Sequence, residues 1–506
     1  MAFAPTPEQE AICGASGRIV KANAFAGTGK SSTLKHLART FPGQRFLYIA
    51  FNKAIKEEAV ATFPSNVKAM TGHGLAYASK GRLYGDVPNK LQGDLKPFHI
   101  LPILHSAGSL RSLPTEVVNL YGGRVVETVK AYLVSSAAEP SLGHVSLGDS
   151  PAERKYMSAV GILADAKRVW ADMCDLAGAT PMLHDGYLKL YQLSEPTLRY
   201  DAVLVDEAQD TNPVLQAIVE AQRTRIFLIG DTHQAIYSFR GAHNAMELMK
   251  CDESFGLTGS FRFGPKLAEI ANSILALKGE SLALRGLGAS TIEREIDVDR
   301  EGHALVSRGN GALFRAAVKA LDAERPFAFV GPLSNYRHDL VVDTYNLMVG
   351  DTVRDAFLRS FSTFNELAEY GESMNDREVK SRVKLAVEYG DRIPELVEAI
   401  ATKSIPWTDG IQARLPANAV TLTTAHKSKG LEFPNVVLSD DYMELIDDEG
   451  ELWDYGAATA SDIEEVNLQY VAVTRAQHAI QLSSGLRDYL ELKQQMDETS
   501  RVRLAG

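Results

Sequence analysis

The run Ala24-Phe25-Ala26-Gly27-Thr28-Gly29-Lys30-Ser31-Ser32 sets two glycines, a lysine and hydroxyls where a chain could wrap a phosphate. Glycines let successive backbone N–H groups turn inward around phosphate oxygens, Lys30 can reach the outer phosphates, and Ser31 can ligate Mg²⁺. Ala26, Gly27, Thr28, Gly29, Lys30, Ser31 and Ser32 are thus candidate nucleotide ligands. Residues 18–23 before the run are mostly apolar and read as a strand; residues 32–37 after it read as a helix, whose N-terminus adds positive potential. Ala24 stands where the general pattern has its first glycine, and a glycine-rich match on its own can be a structural turn.

A second half to such a site is present. Residues 202–210 read Ala-Val-Leu-Val-Asp-Glu-Ala-Gln-Asp, an apolar strand ending in carboxylates. Asp206 at the strand tip would hold Mg²⁺ through water, and Glu207 would orient and deprotonate the attacking water. One acidic pair after a buried strand is commonly a solvated turn, but that reading does not explain both halves together. A third buried strand, residues 226–231, leads to Gln234, whose neutral amide can sense a γ-phosphate. Phe239 and Arg240 then offer a ring and a cation suited to an unstacked base and its phosphate, with core packing as the competing reading of Phe239.

The elements that must position these groups are widely separated. Lys30 and Asp206 lie 176 positions apart, far more than one strand–helix–strand unit needs, so a segment is inserted between them. Residues 82–168 supply it, with helix-like runs at 116–120 and 156–163 and loops rich in Pro, Gly and Ser near 138–151. Strand-like runs at 304–308 and 327–331 and a resumption before Val420 outline a second domain. Helical periodicity at 379–388 marks a second insert. The expected division is 1–81 with 169–256 as a first domain, 82–168 as its helical insert, 257–337 with 413–506 as a second domain, and 338–412 as a short helical insert.

The chain has 506 residues, 45% apolar and 23% charged, which fits a folded protein of several domains and excludes a mainly disordered one. The N-terminus has no basic start followed by an apolar stretch, and no run is long enough to cross a bilayer, so the expected location is cytoplasmic and no membrane partner is expected. Cys13, Cys174 and Cys251 are far apart and odd in number, which indicates neither a disulfide framework nor a CxxC metal site. Formal net charge is -11, which argues against tight coating of a duplex more than against a narrow, locally basic strand channel. The acidic run 446–451 reads as a solvated loop.

The order of these motifs resembles the superfamily 1A helicases of the UvrD/Rep kind and, more closely, the F-box DNA helicase family. Pro7-Glu8-Gln9 resembles the family's adenine-reading glutamine motif; Phe51-Asn52-Lys53 and Thr71-Gly72-His73 resemble its two DNA-contacting motifs after the P-loop. Ser260-Phe261-Arg262-Phe263-Gly264 is similar to motif IV, the run from Thr423 through His426 and Glu432 to Phe433 to motif V, and Tyr470-Val471-Ala472-Val473-Thr474-Arg475-Ala476 to motif VI. Residues 184–190 and 392–396 resemble blocks of the F-box branch without a stated role. The glutamine motif begins near residue 5, so the expectation is a motor core without an F-box and without a ubiquitin-ligase role.

The resemblance implies an α/β fold of two RecA-like P-loop motor domains with parallel sheets, each carrying an inserted, mostly helical subdomain, the second one short. It implies arginine fingers at Arg262 and Arg475, adenine stacking at Phe261, a ribose contact at Glu432, and DNA contacts at Phe51, Asn52, Thr71, His73, Phe239, Arg240 and His426. A guanidinium near the γ-phosphoryl group stabilises charge that develops there during transfer. The implied activity is ATP- and Mg²⁺-dependent 3′-to-5′ translocation on single-stranded DNA with duplex unwinding, acting at single-strand/duplex junctions, in DNA repair and recombination. An alternative keeps the motor but strips recombinase or other DNA-repair proteins from single strands. A nucleotide-gated DNA-binding scaffold without turnover is a third reading, opposed by intact Lys30, Glu207, Gln234, Arg262 and Arg475. A monomer is expected.

Overall fold

A computed structural model describes residues 4–505 apart from 149, 238–243, 356, 374–375, 409 and 448. The chain forms two compact units: Met1–Ala24 with Gly29–Leu257, and Phe25–Thr28 with Thr258–Gly506.

The first unit is built on β1 (Ile19–Ala24), β2 (Phe46–Ala50), β3 (Val67–Thr71), β4 (Ala202–Val205), β5 (Arg225–Gly230) and β6 (Glu253–Leu257). They pair in the order β3-β2-β4-β5-β1-β6, every pair parallel. Parallel sheets covered on both faces carry near-continuous apolar strands, and β2 and β4 are buried at every residue. Alternate side chains go to opposite faces. Leu47, Ile49, Val203, Val205, Ile226 and Leu228 join one apolar cluster, while Phe46, Tyr48, Leu204, Phe227 and Ile229 join the other.

Helical chain fills the long interval between β3 and β4, and it includes Thr115–Val134, Ala159–Cys174 and His184–Leu193. Val125, Val129, Ile162, Val169 and Tyr187 share the cluster of the Leu47/Val203 face, so this helical layer is continuous with the sheet's own core. The expected boundary at residue 168 lies within the helix Ala159–Cys174, whose apolar stripe buries Ile162 and Val169, and a separate helix, His184–Leu193, follows before β4. The helix expected over 156–163 is instead broken at Met157 and Ser158: one helix ends at Tyr156, and the Ser158 side chain accepts a hydrogen bond from Gly161 N to start the next.

In the second unit, a two-stranded parallel ladder joins β7 (Gly259–Ser260) and β8 (Arg285–Gly286). The larger sheet comprises β9 (Ile292–Glu293), β10 (His303–Ser307), β11 (Phe327–Phe329), β12 (Val420–Thr424), β13 (Phe433–Leu438) and β14 (Ala476–Gln481), ordered β11-β12-β10-β13-β14-β9 and parallel throughout. Leu257 ends β6 of the first sheet, so the division between units falls after it rather than before it. Helices Asn310–Asp322, His338–Val349, Arg377–Tyr389 and Ile393–Lys403 pack as one layer, in which Leu313, Phe314, Leu385, Ile393, Leu396 and Ile400 form a single cluster with Phe327 and Leu422. That packing accounts for the 392–396 block: Pro394 sits in the first turn of its helix, and Ile393 and Leu396 are buried. Among the described residues no helix is long and apolar enough to cross a membrane.

Candidate nucleotide site and strand-facing residues

The chain leaves β1 into a tight loop in which Gly27 and Gly29 have φ of 74° and 82°, left-handed values that a residue with a Cβ adopts only under strain. Gly29 caps the helix Lys30–Thr40, which begins at the lysine itself. Asp206 and Glu207 follow the tip of β4, next to β5 in the sheet. The loop and the strand tip bring four predicted residues together. Lys30 Nζ lies 3.0 Å from Glu207 Oε1, and Ser31 Oγ donates to Asp206 Oδ2 at 3.3 Å. Burial alone would lower the Lys30 pKa, but Glu207, Asp231 and Asp206 outweigh it and hold the ammonium above its ordinary value. Asp206 is displaced upward by burial and by the Glu207 charge beside it. Glu207 itself has φ 49° and ψ 45° and is not a glycine, a conformation that costs on the order of 1–3 kcal/mol and that proteins retain where the site requires it.

Behind these groups lies a polar clasp. Gln209 donates to Glu207 Oε2 at 2.6 Å, and its carbonyl accepts from Asp231 N at 3.0 Å; Gln234 Nε2 in turn donates to Asp231 Oδ2 at 2.7 Å. The tips of β4 and β5 are thereby tied through buried amides, with Asp231 and Gln209 standing between Gln234 and Glu207. At the N-terminus, Thr6 and Gln9 form a reciprocal capping box on the helix Pro7–Gly14. Gln9 Oε1 accepts from Thr6 N, while the buried Nε2 has no hydrogen-bond partner. A buried amide N–H without a partner loses its water hydrogen bonds uncompensated, and a purine ring nitrogen is a fitting acceptor for it.

In the second unit, Arg262 Nε donates to Glu432 Oε1 at 2.7 Å and Nη1 to the Thr474 carbonyl at 2.8 Å. Gln477 Nε2 donates to the other Glu432 oxygen at 2.9 Å. Burial pushes the Glu432 carboxyl up, and Arg262 more than offsets it, so the group titrates below the ordinary range. Arg475 is 1% exposed and donates to the carbonyls of Val471 and Leu431 and to Thr474 Oγ1. Phe261, by contrast, is 51% exposed.

The predicted strand contacts in the first unit also gather. Phe51 follows β2, is exposed, and stacks on Tyr237 with ring centroids 5.6 Å apart and planes at 18°. Asn52 caps the helix Lys53–Thr62, and Thr71 caps the short helix Gly72–Ala76 that carries His73. His73 Nε2 lies 2.9 Å from Asp185 Oδ1. His426 is half-buried on the short helix Ala425–Ser428 that follows β12. Phe239 and Arg240 lie outside the described residues.

Two family models match the chain: the UvrD/REP helicase N-terminal domain over residues 158–255 and the UvrD-like helicase C-terminal domain over residues 355–486. The chain is 33% identical over 503 residues to F-box DNA helicase 1 of Gallus gallus, covering 94% of this chain and 48% of that protein. It is 30% identical over 525 residues to F-box DNA helicase protein 1 of Schizosaccharomyces pombe, covering 97% of this chain and 58% of that protein. The chain belongs to the UvrD-like helicases. It spans about half the length of the curated relatives it matches. Its two parallel sheets are accordingly the two RecA-like motor domains of that family.

Three residues that shape the site of this UvrD-like helicase escaped the sequence reading. Tyr48 is buried in β2 and its hydroxyl donates to Asp206 Oδ2 at 2.6 Å; a tyrosine in an apolar strand carries no signal of that role. Gln209, the clasp, sits inside the Asp-Glu-Ala-Gln-Asp run and was legible as a buried amide beside two acids. Asp185 belongs to the branch block whose purpose the sequence left open. For a divalent metal, the donor chemistry fits: a serine hydroxyl and one carboxylate oxygen within 3.3 Å are hard ligands of the kind Mg²⁺ uses when water and phosphate complete its shell. Among the described residues no cluster of three or more His, Cys, Asp or Glu forms a metal cage, which such a shared site does not require.

Proposed function

We propose that this chain is an ATP-dependent DNA helicase that translocates 3′ to 5′ on single-stranded DNA and opens duplexes at junctions. The observation that carries the reading is the Lys30–Glu207 pair at 3.0 Å beside Ser31 and Asp206, a complete set of phosphate, metal and water-activating groups at adjoining loop and strand tips. Lys30 holds the outer phosphates; Ser31 and Asp206 hold Mg²⁺, which supplies charge neutralisation at the transferring phosphoryl group; Glu207 takes the proton of the attacking water; Gln234 reports the γ-phosphate through Asp231. Ala26, Gly27, Thr28, Gly29 and Ser32 complete the phosphate cradle, Gln9 and Phe261 read and stack the adenine, and Glu432 contacts the ribose. Arg262 and Arg475 stabilise the transition-state charge, so each must exchange the partner it now holds for the phosphate. Phe51, Asn52, Thr71, His73, Phe239, Arg240 and His426 form the strand track.

The working division is a first motor domain through Leu257 with its helical layer, and a second from Thr258 with residues 338–412 as its short insert. We assign a monomer acting in the cytoplasm. The test is ATP hydrolysis with and without single-stranded DNA, followed by strand release from duplexes tailed at either end. DNA-stimulated hydrolysis with release from the 3′-tailed substrate supports the assignment. Release only with a 5′ tail overturns the polarity, and hydrolysis with filament removal but negligible strand release replaces unwinding with protein stripping.

A further inference from the structure

Asp206 is held from β2 at two levels. Its backbone N–H donates to the Ile49 carbonyl at 3.3 Å, which carries the pairing of β2 with β4 one residue past the end of β4. Its side chain is held by Tyr48, whose hydroxyl donates to Oδ2 at 2.6 Å. The other carboxylate oxygen, Oδ1, accepts from Glu207 N at 2.9 Å, and Ser31 Oγ approaches Oδ2 at 3.3 Å. Of the two donors on Oδ2, the tyrosine makes the short bond and the serine the long one. A short O–H bond to an ionised carboxylate is about twice as strong as one between neutral groups.

The strand register explains why this residue is a tyrosine. Tyr48 pairs with Leu204, two residues before Asp206. Two residues along a strand span about 6.6 Å, and a long side chain is needed to cross that step. A phenol crosses it with a hydroxyl at its end; a phenylalanine would fill the same space and stop short of the oxygen. The ring has little freedom: it is 1% exposed, shares an apolar cluster with Leu34 and Leu37 of the helix Lys30–Thr40, and lies 4.7 Å from the Phe63 ring between centroids. Phe46 packs in the same cluster without a hydroxyl, so the core itself does not require one. A phenol ordinarily titrates near pH 10, so at neutral pH this hydroxyl is a donor and not a base.

We propose that Tyr48 is a positioning residue for ATP hydrolysis: its hydroxyl fixes the Asp206 carboxylate so that Oδ2 stays beside Ser31 Oγ, where the two oxygens can share a divalent cation. The inference rests on the nucleotide-site reading above and deepens it, because it assigns the orientation of the acidic ligand to a residue outside the motifs that carry the resemblance. Groups that hydrogen-bond a metal-binding carboxylate from behind fix its orientation, and losing one typically costs about 10- to 100-fold in metal affinity or activity.

The test reads cation binding directly, by Mn²⁺ EPR titration of the full chain in the presence of ADP, beside ATP hydrolysis. Tyr48→Phe keeps the ring and removes only the hydroxyl, and its Mn²⁺ dissociation constant rises about 10- to 100-fold. The Mg²⁺ concentration that half-saturates hydrolysis rises by a similar factor. KM for ATP at saturating Mg²⁺ changes by less, because Lys30 and the glycine loop still hold the phosphates. A double-mutant cycle locates the effect: acting through the carboxylate, Tyr48→Phe adds less than about twofold to the loss already present in Asp206→Asn. Phe63→Leu, which loosens the ring and leaves the hydroxyl, raises the Mn²⁺ constant by less than Tyr48→Phe does. If Tyr48→Phe binds Mn²⁺ within about twofold of wild type while Asp206→Asn binds it at least about tenfold more weakly, the positioning role is overturned and the nucleotide site stands. Losses that multiply in the double variant overturn it too, as does a Phe63→Leu effect equal to that of Tyr48→Phe, since either makes Tyr48 a packing residue. If Asp206→Asn binds Mn²⁺ like wild type, or wild type binds none with ADP, the nucleotide-site reading fails and this inference falls with it.

Discussion

The two motor domains share one architecture, a six-stranded parallel sheet covered by helices, yet they handle charge in opposite ways. In the first, Lys30 stands among Glu207, Asp206 and Asp231, and Asp206 shares its surroundings with another carboxylate against its own electrostatic preference. Carboxylates crowded at a strand tip lose stability unless a cation enters, so the cluster is poised for one. In the second, several cations are met from within: Arg262 by Glu432, Arg475 by three oxygen acceptors, and Arg308 by Glu465 at 2.6 Å, with Arg377 on the same carboxylate at 3.2 Å. One sheet offers unresolved charge as chemistry. The other resolves its charge and uses it to hold its own elements together.

The largest effect should come from the residue that crosses this distinction. Arg262→Ala should lower the maximal ATPase rate by about 10³- to 10⁵-fold, the range for a transition-state arginine. A steady-state rate within tenfold of wild type would return Arg262 to the purely structural set. Glu207→Gln should reduce turnover about 10²- to 10⁴-fold while nucleotide affinity, read by fluorescent-nucleotide titration, is kept; Lys30→Ala should instead lose that affinity. Equal loss of affinity in both would blur the roles assigned to the first domain.

Arg308→Ala probes the second domain's structural use of charge. Removing it takes the nearer of two cations from the largely buried Glu465 and leaves Arg377 at 3.2 Å, and denaturant unfolding should show a loss of about 2 kcal/mol. A loss below about 0.5 kcal/mol would place the pair with weak surface bridges. The smallest effect concerns the helical layer of the first domain. Burial pushes the Glu153 carboxyl up, but hydrogen bonds from Ser150 and Arg124 overcome it and set its pKa at about 2. A carboxyl lowered on folding stabilises above its unfolded value of 4.5, and that contribution drains away as pH falls from there toward about 2. Glu153→Gln should therefore be less stable than wild type at pH 6 and converge with it near pH 2, as followed by thermal melts; parallel curves across that range would contradict the assignment.

Much of this was legible in the chain itself. The loop at 24–32, the acids after 202–205 and the strand at 226–229 point to a nucleotide site because its chemistry needs glycines, a lysine and carboxylates at strand ends. Element types were legible wherever apolar spacing was regular. Boundaries were not: Ser158 starts a helix inside a run that reads as uninterrupted, because a single side-chain cap outweighs periodicity.

What the sequence by itself determined was the inventory: the glycines, lysine, hydroxyls and carboxylates of the candidate site, and the apolar strands that carry them. The tertiary structure alone decided which groups meet. Tyr48 reaches Asp206 across 158 positions, Gln209 ties the tips of two strands, and Asp185 finds His73 across 112. Such meetings depend on strand order and on the packing of faces, quantities that spacing along a chain does not encode, because a parallel sheet makes neighbours of strands that the sequence keeps far apart.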